Sequence, residues 1–318
     1  MSNFWEKLKK PIKILAPMAN VTDAAFRSII AKYGKPDVFY TEFVSADGLC
    51  SLGKKKLLVD LKFSKKEHPI VAQLFSANPE KIYEAAKLAV RLGFDGIDIN
   101  MGCPDRAVEK QGAGAALIKN PNLAREIIRA TKRGAPKLPI SVKTRFGYNK
   151  VELSWIEDIL KENLAALIIH LRTRHEMSSV PAQWDLIPEI VKIKNKINKK
   201  TLIIGNGDIL SVKEGIEKCK KYGCDGFMIG RGIFGNPWLF NNKKKKVTLE
   251  EKLKVLIEHM KLFEKIFKGF KSFAVMKKHC KGYTLGFENA RSLRERLMET
   301  NSAKEAGLVI KKFLKKNF

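Results

Sequence analysis

The 318-residue sequence lacks the features that mark membrane and secreted proteins. No segment approaches the roughly 18 consecutive apolar residues that a membrane-spanning helix needs. The basic start, Met1 to Lys10, is followed by a short apolar run that Pro17 interrupts, which makes a poor signal peptide. We therefore expect a cytoplasmic protein with no membrane partner.

Cysteine is scarce, and its spacing does not match the common cysteine frameworks. The chain has five cysteines, an odd number, with no CxxC pair. A chain of this length does not need covalent cross-links, so the pattern indicates free thiols in a reducing compartment and no metal site. Each thiol is expected either to pack in the core or to take part in chemistry. The five are Cys50, Cys103, Cys219, Cys224 and Cys280.

Acidic residues are few, with 33 Asp and Glu against 61 Lys and Arg and a formal net charge of +28. Such a charge attracts polyanions, although a general bias towards lysine, with 48 Lys and 13 Arg, would also produce it. The charge is uneven: residues 241–318 carry +13 and residues 1–240 carry +15. Per residue, the C-terminal part is more than twice as basic, which favours an appendage that binds a polyanion.

Short apolar runs that resemble strands recur eight times along residues 1–240, and helix-start signals such as Asn78-Pro79 and Asn120-Pro121 lie between them. Eight successive strand–helix units predict a closed (β/α)₈ TIM barrel, although an open doubly wound sheet would alternate in the same way. The predicted strands are 12–16, 38–41, 70–75, 96–100, 140–144, 167–171, 202–205 and 226–230.

The strand pattern ends near residue 240. The lysine-rich segment 241–247 is typical of a solvated linker, and capping sequences at 248–251 and 302–305 each precede a helix with one apolar face. Two more helices are predicted between them, near 272–282 and 290–299. The expected fold is α/β, with a TIM barrel at 1–240 followed by a small all-helical domain at 241–318.

Polar residues and glycines gather at the ends of the predicted strands. In a barrel these ends meet at one rim, where the active site lies. A single polar strand end is ordinary, but eight together predict a mouth that binds a ligand. These positions hold Pro17, Met18 and Ala19; Thr41 and Glu42; Gln73; Asn100 and Cys103; Lys143 and Arg145; His170, Arg172 and Arg174; Asn206, Gly207 and Asp208; and Gly230 and Arg231.

The residue types at the rim indicate its chemistry. Lys143 and Arg145 point to the same face of a strand and, with His170, would form a cationic floor for an anionic or electron-rich ring; His170 would otherwise be an ordinary core histidine. The glycines after strands seven and eight either approach a phosphate or only make tight turns. Cys103 lies in a loop, and an unperturbed thiol is mostly protonated at neutral pH, so it is suited to donate a proton.

Six segments in order resemble the flavin-dependent tRNA-dihydrouridine synthases. The most specific is the Asn100-Met-Gly-Cys-Pro104 part of segment Asp98–Pro104, followed by a glycine-rich stretch. A weaker likeness at 276–283 is to the helical domain of the bacterial B-type branch. The other segments are Pro17–Asp23, Gln73–Phe75, Val142–Arg145, His170–Arg174 and Gly205–Ile209. Leu171 stands where family members often have a small residue, and the loop Met177–Gln183 has no assigned role.

The resemblance implies that FMN lies across the barrel mouth. Pro17, Met18 and Ala19 would border the isoalloxazine, and Gln73 and Lys143 would bind its polar edge. The ribityl phosphate end would be held by His170, Asn206, Gly207, Asp208, Gly230 and Arg231.

The resemblance also implies the reaction. NADPH would reduce the flavin, N5 would give a hydride to C6 of a uracil in tRNA, and Cys103 would protonate C5. Asn100, Arg145, Arg172 and Arg174 would contact the substrate, and basic residues of both domains would bind the tRNA backbone. Two alternatives stay open: an FMN-dependent barrel that acts on a free pyrimidine such as dihydroorotate, and an RNA-binding protein whose barrel has lost its chemistry.

Overall fold

The computed structural model describes residues 3–244 and 246–317, so Lys245 of the predicted linker lies outside the described residues. Its strands are β1 Ile12–Leu15, β2 Phe39–Tyr40, β3 Val44–Ser45, β4 Ile70–Phe75, β5 Gly96–Met101, β6 Ile140–Arg145, β7 Ala166–His170, β8 Leu202–Asn206 and β9 Gly226–Ile229. Its α-helices are α1 Ala24–Tyr33, α2 Ala46–Leu49, α3 Lys54–Leu57, α4 Pro79–Leu92, α5 Arg106–Glu109, α6 Pro121–Gly134, α7 Leu153–Leu160, α8 Ile187–Ile197, α9 Val212–Tyr222, α10 Leu249–Phe267, α11 Met276–Tyr283, α12 Ala290–Glu299 and α13 Ala303–Asn317.

The strands form a parallel barrel. Each strand pairs with its neighbours in the order β1, β9, β8, β7, β6, β5, β4, β2, and a parallel bridge between Ile14 and Val38 joins the two ends. β2 and β3 both pair with β4, at Phe39 with Ile70 and at Val44 with Leu74, so together they form one interrupted barrel strand. The predicted TIM barrel is therefore confirmed and the open sheet is wrong; the interruption was not predicted.

Side-chain alternation along the strands decides what reaches the barrel interior. In β5, Ile97 and Ile99 pack outwards in the main core against the helices, whereas Asp98 and Asn100 point inwards. The lower interior is apolar and includes Trp5 and Ile168. The polar side chains Asp98 and Asn100 therefore lie between this apolar floor and the C-terminal rim.

The helix starts follow the sequence signals. Asn78 and Asn120 accept hydrogen bonds from backbone N–H groups in the first turns of α4 and α6, and Ser211 does the same for α9. Thr248 and Glu251 form a reciprocal capping box at α10. These caps satisfy backbone donors that would otherwise lack partners. The predicted helix starts are thus confirmed. In the part of the chain that the structure describes, no helix combines the length and apolar character needed to traverse a bilayer.

The C-terminal helices share a second hydrophobic core with the barrel. Helices α10 to α13 pack around Phe263 and Tyr283, and Ala25 and Ile29 on the outer face of α1 complete this core. The helical part therefore packs directly against a barrel helix. Its status as a separate domain from residue 241 stays a prediction.

Two fully buried histidines lie where α10 and α11 meet α1. The rings of His259 and His279 are 4.6 Å apart, and His259 stacks on Phe26 at 4.9 Å. Burial, together with the neighbouring His279, lowers the pKa of His259 well below 6.5. Burial, together with Lys278, lowers the pKa of His279 to about 3. Both rings are therefore neutral in the folded protein at neutral pH.

This pair predicts acid-sensitive packing of the helical part. Because the folded pKa values are depressed, the unfolded chain binds protons first as pH falls below about 6.5, and folding stability declines there. We expect the free energy of unfolding to fall by up to about 3 kcal/mol per pH unit for the pair. In His259→Leu the slope should be about half as large. Urea unfolding at a series of pH values measures this slope. His175→Leu, at an exposed position, is the control, and equal slopes in all three proteins would contradict the assignment.

Candidate active site

A cavity of about 610 Å³ opens at the C-terminal rim of the barrel. It lies where the ends of β1, β6, β7, β8 and β9 converge, as expected for a parallel barrel. Met177 and Ser178, from the loop without an assigned role, complete its edge. Of the predicted site residues, it brings together Pro17, Met18, Lys143, Arg145, His170, Arg172, Asn206, Gly207, Asp208, Gly230 and Arg231.

A larger cavity, of about 830 Å³, lies on the outside of the barrel between α2 and α4. Leu49, Lys54 and Tyr83 are among its lining residues. None of the predicted site residues lines it, and no strand end opens into it. We therefore assign the chemistry to the rim cavity.

Gln73, Asn100 and Cys103 form a connected group beside the rim cavity. Asn100 lies opposite Lys143 in the register of β5 and β6. Its amide donates to Gln73 Oε1 at 3.2 Å, and its oxygen accepts from the N–H groups of Gly102 and Cys103 at 3.1 and 2.9 Å. Asn100 thus holds the backbone of the cysteine loop in place.

The Cys103 thiol is half-buried and close to two cations. Burial raises the pKa of Cys103, while Lys143 and Arg145 act in the opposite direction. Gly114, at φ +62°, approaches this loop so closely that a Cβ there would lie 2.8 Å from the Cys103 carbonyl oxygen. The raised pKa keeps the thiol protonated at neutral pH, which suits a proton donor.

Lys143 supplies an isolated positive charge. Burial, and then Arg145, lowers the pKa of Lys143 to about 8, while Asp98 and Cys103 act in the opposite direction. Among the described residues, its ammonium group has no hydrogen-bond or ion-pair partner, and it lines the cavity. It is therefore available to a ligand, whereas the Arg145 guanidinium donates to three backbone carbonyls, those of Gly102, Thr173 and Met177.

His170 is neutral, which corrects one expectation. Burial, followed by the charges of Lys143, Arg145 and Arg172, lowers the pKa of His170 to about 2. Its Nε2 lies 3.1 Å from Arg172 Nη1. Because the guanidinium can only donate, Nε2 accepts and Nδ1 carries the proton. The floor of the cavity is cationic through Lys143 and Arg145, and His170 adds a neutral N–H donor.

Asp208 connects two arginines at the opposite side of the cavity. It accepts from Arg172 and, at 3.1 Å, from Arg231. Partial burial alone would raise the pKa of Asp208, but the Ala182 N–H and both guanidinium groups outweigh it and lower the pKa. The carboxylate is therefore fully ionised and orients Arg231, whose side chain is 66% exposed.

The backbone near Arg231 leaves room for an anion. A Cβ on Gly230 would point towards the cavity, 3.6 Å from Met18 Sδ. The 3₁₀-helix Arg231–Ile233 begins here, and the first N–H groups of a helix have no partner within it. Four cationic side chains and one carboxylate line the cavity. This donor set fits a phosphate group.

Five predicted residues lie outside the cavity lining: Gln73, Asn100 and Cys103, described above, and Ala19 and Arg174. Ala19 is exposed and follows Met18. Arg174 forms an ion pair with Glu109 of α5, and its guanidinium lies over the Tyr148 ring at 5.4 Å. Arg172 lines the cavity, but its side chain is only 2% exposed. The predicted substrate contacts of both arginines stay predictions.

The family model described as dihydrouridine synthase (Dus) matches residues 14–318. The chain belongs to the dihydrouridine synthase family. It is 43% identical over 315 residues to the "Probable tRNA-dihydrouridine synthase" of Staphylococcus aureus (strain Mu50 / ATCC 700699), covering 98% of this chain and 95% of the relative. It is 42% identical over 318 residues to the "Probable tRNA-dihydrouridine synthase 2" of Bacillus subtilis (strain 168), covering 99% and 97%. The family resemblance predicted from the motifs is confirmed.

Solved structures share the barrel with this dihydrouridine synthase family member. Histamine dehydrogenase from Rhizobium sp. 4-9 superposes with a TM-score of 0.54 at 13% identity, over 78% of this chain and 48% of that chain. A variant of NCR from Zymomonas mobilis superposes with a TM-score of 0.51 at 16% identity, over 79% and 96%. At these identities the likeness shows the fold alone.

The sequence reasoning placed Asp98 in a family segment but gave it no role; it lies inside the barrel of this dihydrouridine synthase family member. The Asp98 carboxylate accepts from Gln73 Nε2 at 2.7 Å and from Ser141 Oγ at 2.6 Å. Burial raises the pKa of Asp98 to about 7, while these two donors and Lys143 act in the opposite direction. An acidic residue within the apolar run of β5 was the available signal. Within the described ranges, no group of three or more His, Cys, Asp and Glu side chains is arranged to hold a metal ion.

Proposed function

We propose that the protein reduces the C5=C6 bond of specific uridines in tRNA to 5,6-dihydrouridine, with FMN as cofactor and NADPH as reductant. One observation carries the proposal: Asn100 holds the loop of the half-buried Cys103 thiol and lies opposite Lys143, whose ammonium lines the cationic rim cavity. The relatives from S. aureus and B. subtilis bear the name of this activity. Since tRNA is found in the cytoplasm, we propose the same location for this protein.

The size and lining of the cavity support FMN. Its volume, about 610 Å³, is within the usual range for cofactor sites. Pro17 and Met18, with Ala19 beside them, would border the flat ring system. Gln73 and Lys143 would bind the polar edge of the ring. Asp98 accepts a hydrogen bond from the Gln73 amide and so fixes the orientation of that side chain.

The anion-binding side of the cavity is suited to the phosphate end of FMN. Asp208 orients Arg231, and within the described ranges no acceptor pairs with the Nδ1–H of the neutral His170, which can donate to the phosphate. Glycine at 207 and 230 lets the ligand approach the backbone, because no side chain intervenes. The residues proposed for this end are His170, Asn206, Gly207, Asp208, Gly230 and Arg231.

The rim residues have separate proposed roles in the reaction. When bound and reduced by NADPH, FMN supplies the hydride that adds to C6 of the uracil ring. Cys103 holds the proton that C5 receives, and Asn100 fixes the loop that carries the thiol. Lys143 places a positive charge where negative charge develops on the base. Asn100 and Arg145 are proposed to seat the base.

The proposal is tested by isolating the protein and analysing tRNA. We expect yellow protein with FMN bound, and dihydrouridine at defined positions after incubation with NADPH and unmodified tRNA. Mass spectrometry of tRNA from a strain that lacks the protein, position by position, identifies the uridines. Colourless protein that takes up no FMN, or activity on free uracil or orotate without RNA, would contradict the proposal.

We further expect tRNA binding to weaken steeply with salt. The net charge of +13 on residues 241–318 favours phosphate contacts, and each neutralised phosphate releases counterions. Affinity is expected to fall by about 10- to 1000-fold between 50 and 200 mM salt. Filter binding or fluorescence anisotropy over this range measures the slope. A flat response would show that the basic C-terminal part does not contact the tRNA backbone.

A further inference from the structure

Lys271 lies after α10 and connects the C-terminal helical part to the barrel rim. Its ammonium lies 2.9 Å from Glu42 Oε2 and 2.7 Å from Asp60 Oδ1, and 4.9 Å from the centre of the Phe267 ring. The Lys271 and Glu42 side chains are only 14% and 6% exposed. Buried ion pairs of this kind are costly to break, because one charge is left without its partner.

Glu42 links Lys271 to the loop after β1. Its other oxygen accepts from the backbone N–H of Asn20. Asn20 adopts a left-handed conformation, φ 54°, which asparagine tolerates better than most residues other than glycine, and the bond to Glu42 helps to fix it. Two residues earlier, Met18 lines the cavity. The path from the helical part to the cavity therefore runs from Lys271 through Glu42 and Asn20 to Met18.

The charges around this path depend on Lys271. Asp23, at the end of the same loop, is fully buried, and its Oδ2 has no hydrogen-bond partner in the described part of the chain. Burial, and then Glu42, raises the pKa of Asp23 to about 7, while the Phe26 N–H, Lys271 and Arg27 act in the opposite direction. Arg27 is already paired with Glu67. Without Lys271, the carboxylates of Asp23 and Glu42 would share a buried region with no other free cation among the described residues.

We propose that Lys271 is a positioning residue, which holds the loop after β1 in its cavity-lining shape and makes cofactor binding depend on docking of the helical part. This inference rests on the proposed function, because FMN is the ligand whose binding it affects. The ion pairs of Lys271 stabilise the loop from outside the cavity. Lys271 itself does not line the cavity and acts through Glu42.

FMN affinity of the full-length apoprotein tests the inference, measured by quenching of flavin fluorescence at pH 6 and pH 8.5. We expect Lys271→Met to bind FMN at least tenfold more weakly than wild type at pH 8.5. The difference in FMN affinity between Lys271→Met and wild type should be smaller at pH 6, because protonation of Asp23 relieves its repulsion with Glu42. Lys271→Arg should restore most of the affinity. Lys261→Met, at an exposed position of α10, is the matched control and should bind as wild type does.

A second variant separates the loop contact from misfolding. In Lys271→Met/Glu42→Gln the repulsive charge is gone and an oxygen remains to accept from Asn20, so FMN affinity should partly recover. Circular dichroism confirms that each variant is folded. Folded Lys271→Met with wild-type affinity at both pH values would overturn the inference. Wild type that binds no FMN would instead overturn the proposed function.

Discussion

Replacing Cys103 with alanine is expected to leave FMN bound and to lower turnover on unmodified tRNA by about 10²- to 10⁴-fold, the usual contribution of a general acid. The thiol lies in a loop whose backbone Asn100 holds, so the loop should keep its shape without the sulfur. The proton for C5 would then have to come from solvent. Single-turnover assays with prereduced protein measure the chemical step separately from reduction by NADPH.

The Cys103→Ala experiment has a matched control variant. Cys50→Ala removes an exposed thiol far from the rim cavity and should keep wild-type turnover. The wild-type rate should also decline at alkaline pH, because the acid must be protonated and its pKa is raised by burial. Cys103→Ala with unchanged turnover would exclude the proposed role of the thiol.

Replacing Lys143 with methionine is expected to lower the rate by about 10²- to 10³-fold, as for other removed charges that stabilise a transition state. Methionine fills a similar volume, and among the residues that the structure describes the ammonium has no partner whose loss would disturb the fold. FMN affinity should fall as well, because the polar edge of the ring would lose its cation. Stopped-flow absorbance of the flavin and turnover on tRNA measure the two effects.

The pH profile separates this charge effect from a loss of packing. Because the pKa of Lys143 is about 8, raising the pH above 8 neutralises the ammonium, and the wild-type rate should fall there. In Lys143→Met this decline should move to higher pH. Lys150→Met removes an exposed charge beyond the same strand and should leave both rate and profile unchanged. A Lys143→Met protein with the wild-type rate and profile would contradict the assignment.

The barrel was predictable from the sequence because each unit carries local signals. Apolar strand runs and helix caps such as Asn78 and Asn120 depend on nearby residues, and parallel strands joined by helices close in few ways. The interruption between β2 and β3 was not predictable, since it depends on pairing with β4 in the folded chain. The interior position of Asp98 could have been predicted from the sequence, because an acidic residue in a buried strand requires partners.

The sequence by itself determined which residues reach the barrel rim, because strand ends in a parallel barrel converge whatever lies between them. Only the tertiary structure decided their charge states and partners. His170 is neutral because other elements bury it among arginines, and Arg174 is paired with Glu109 from a distant helix. The contact of Lys271 with Glu42 joins residues 229 positions apart. Such effects depend on distances and desolvation in three dimensions, which no local pattern encodes.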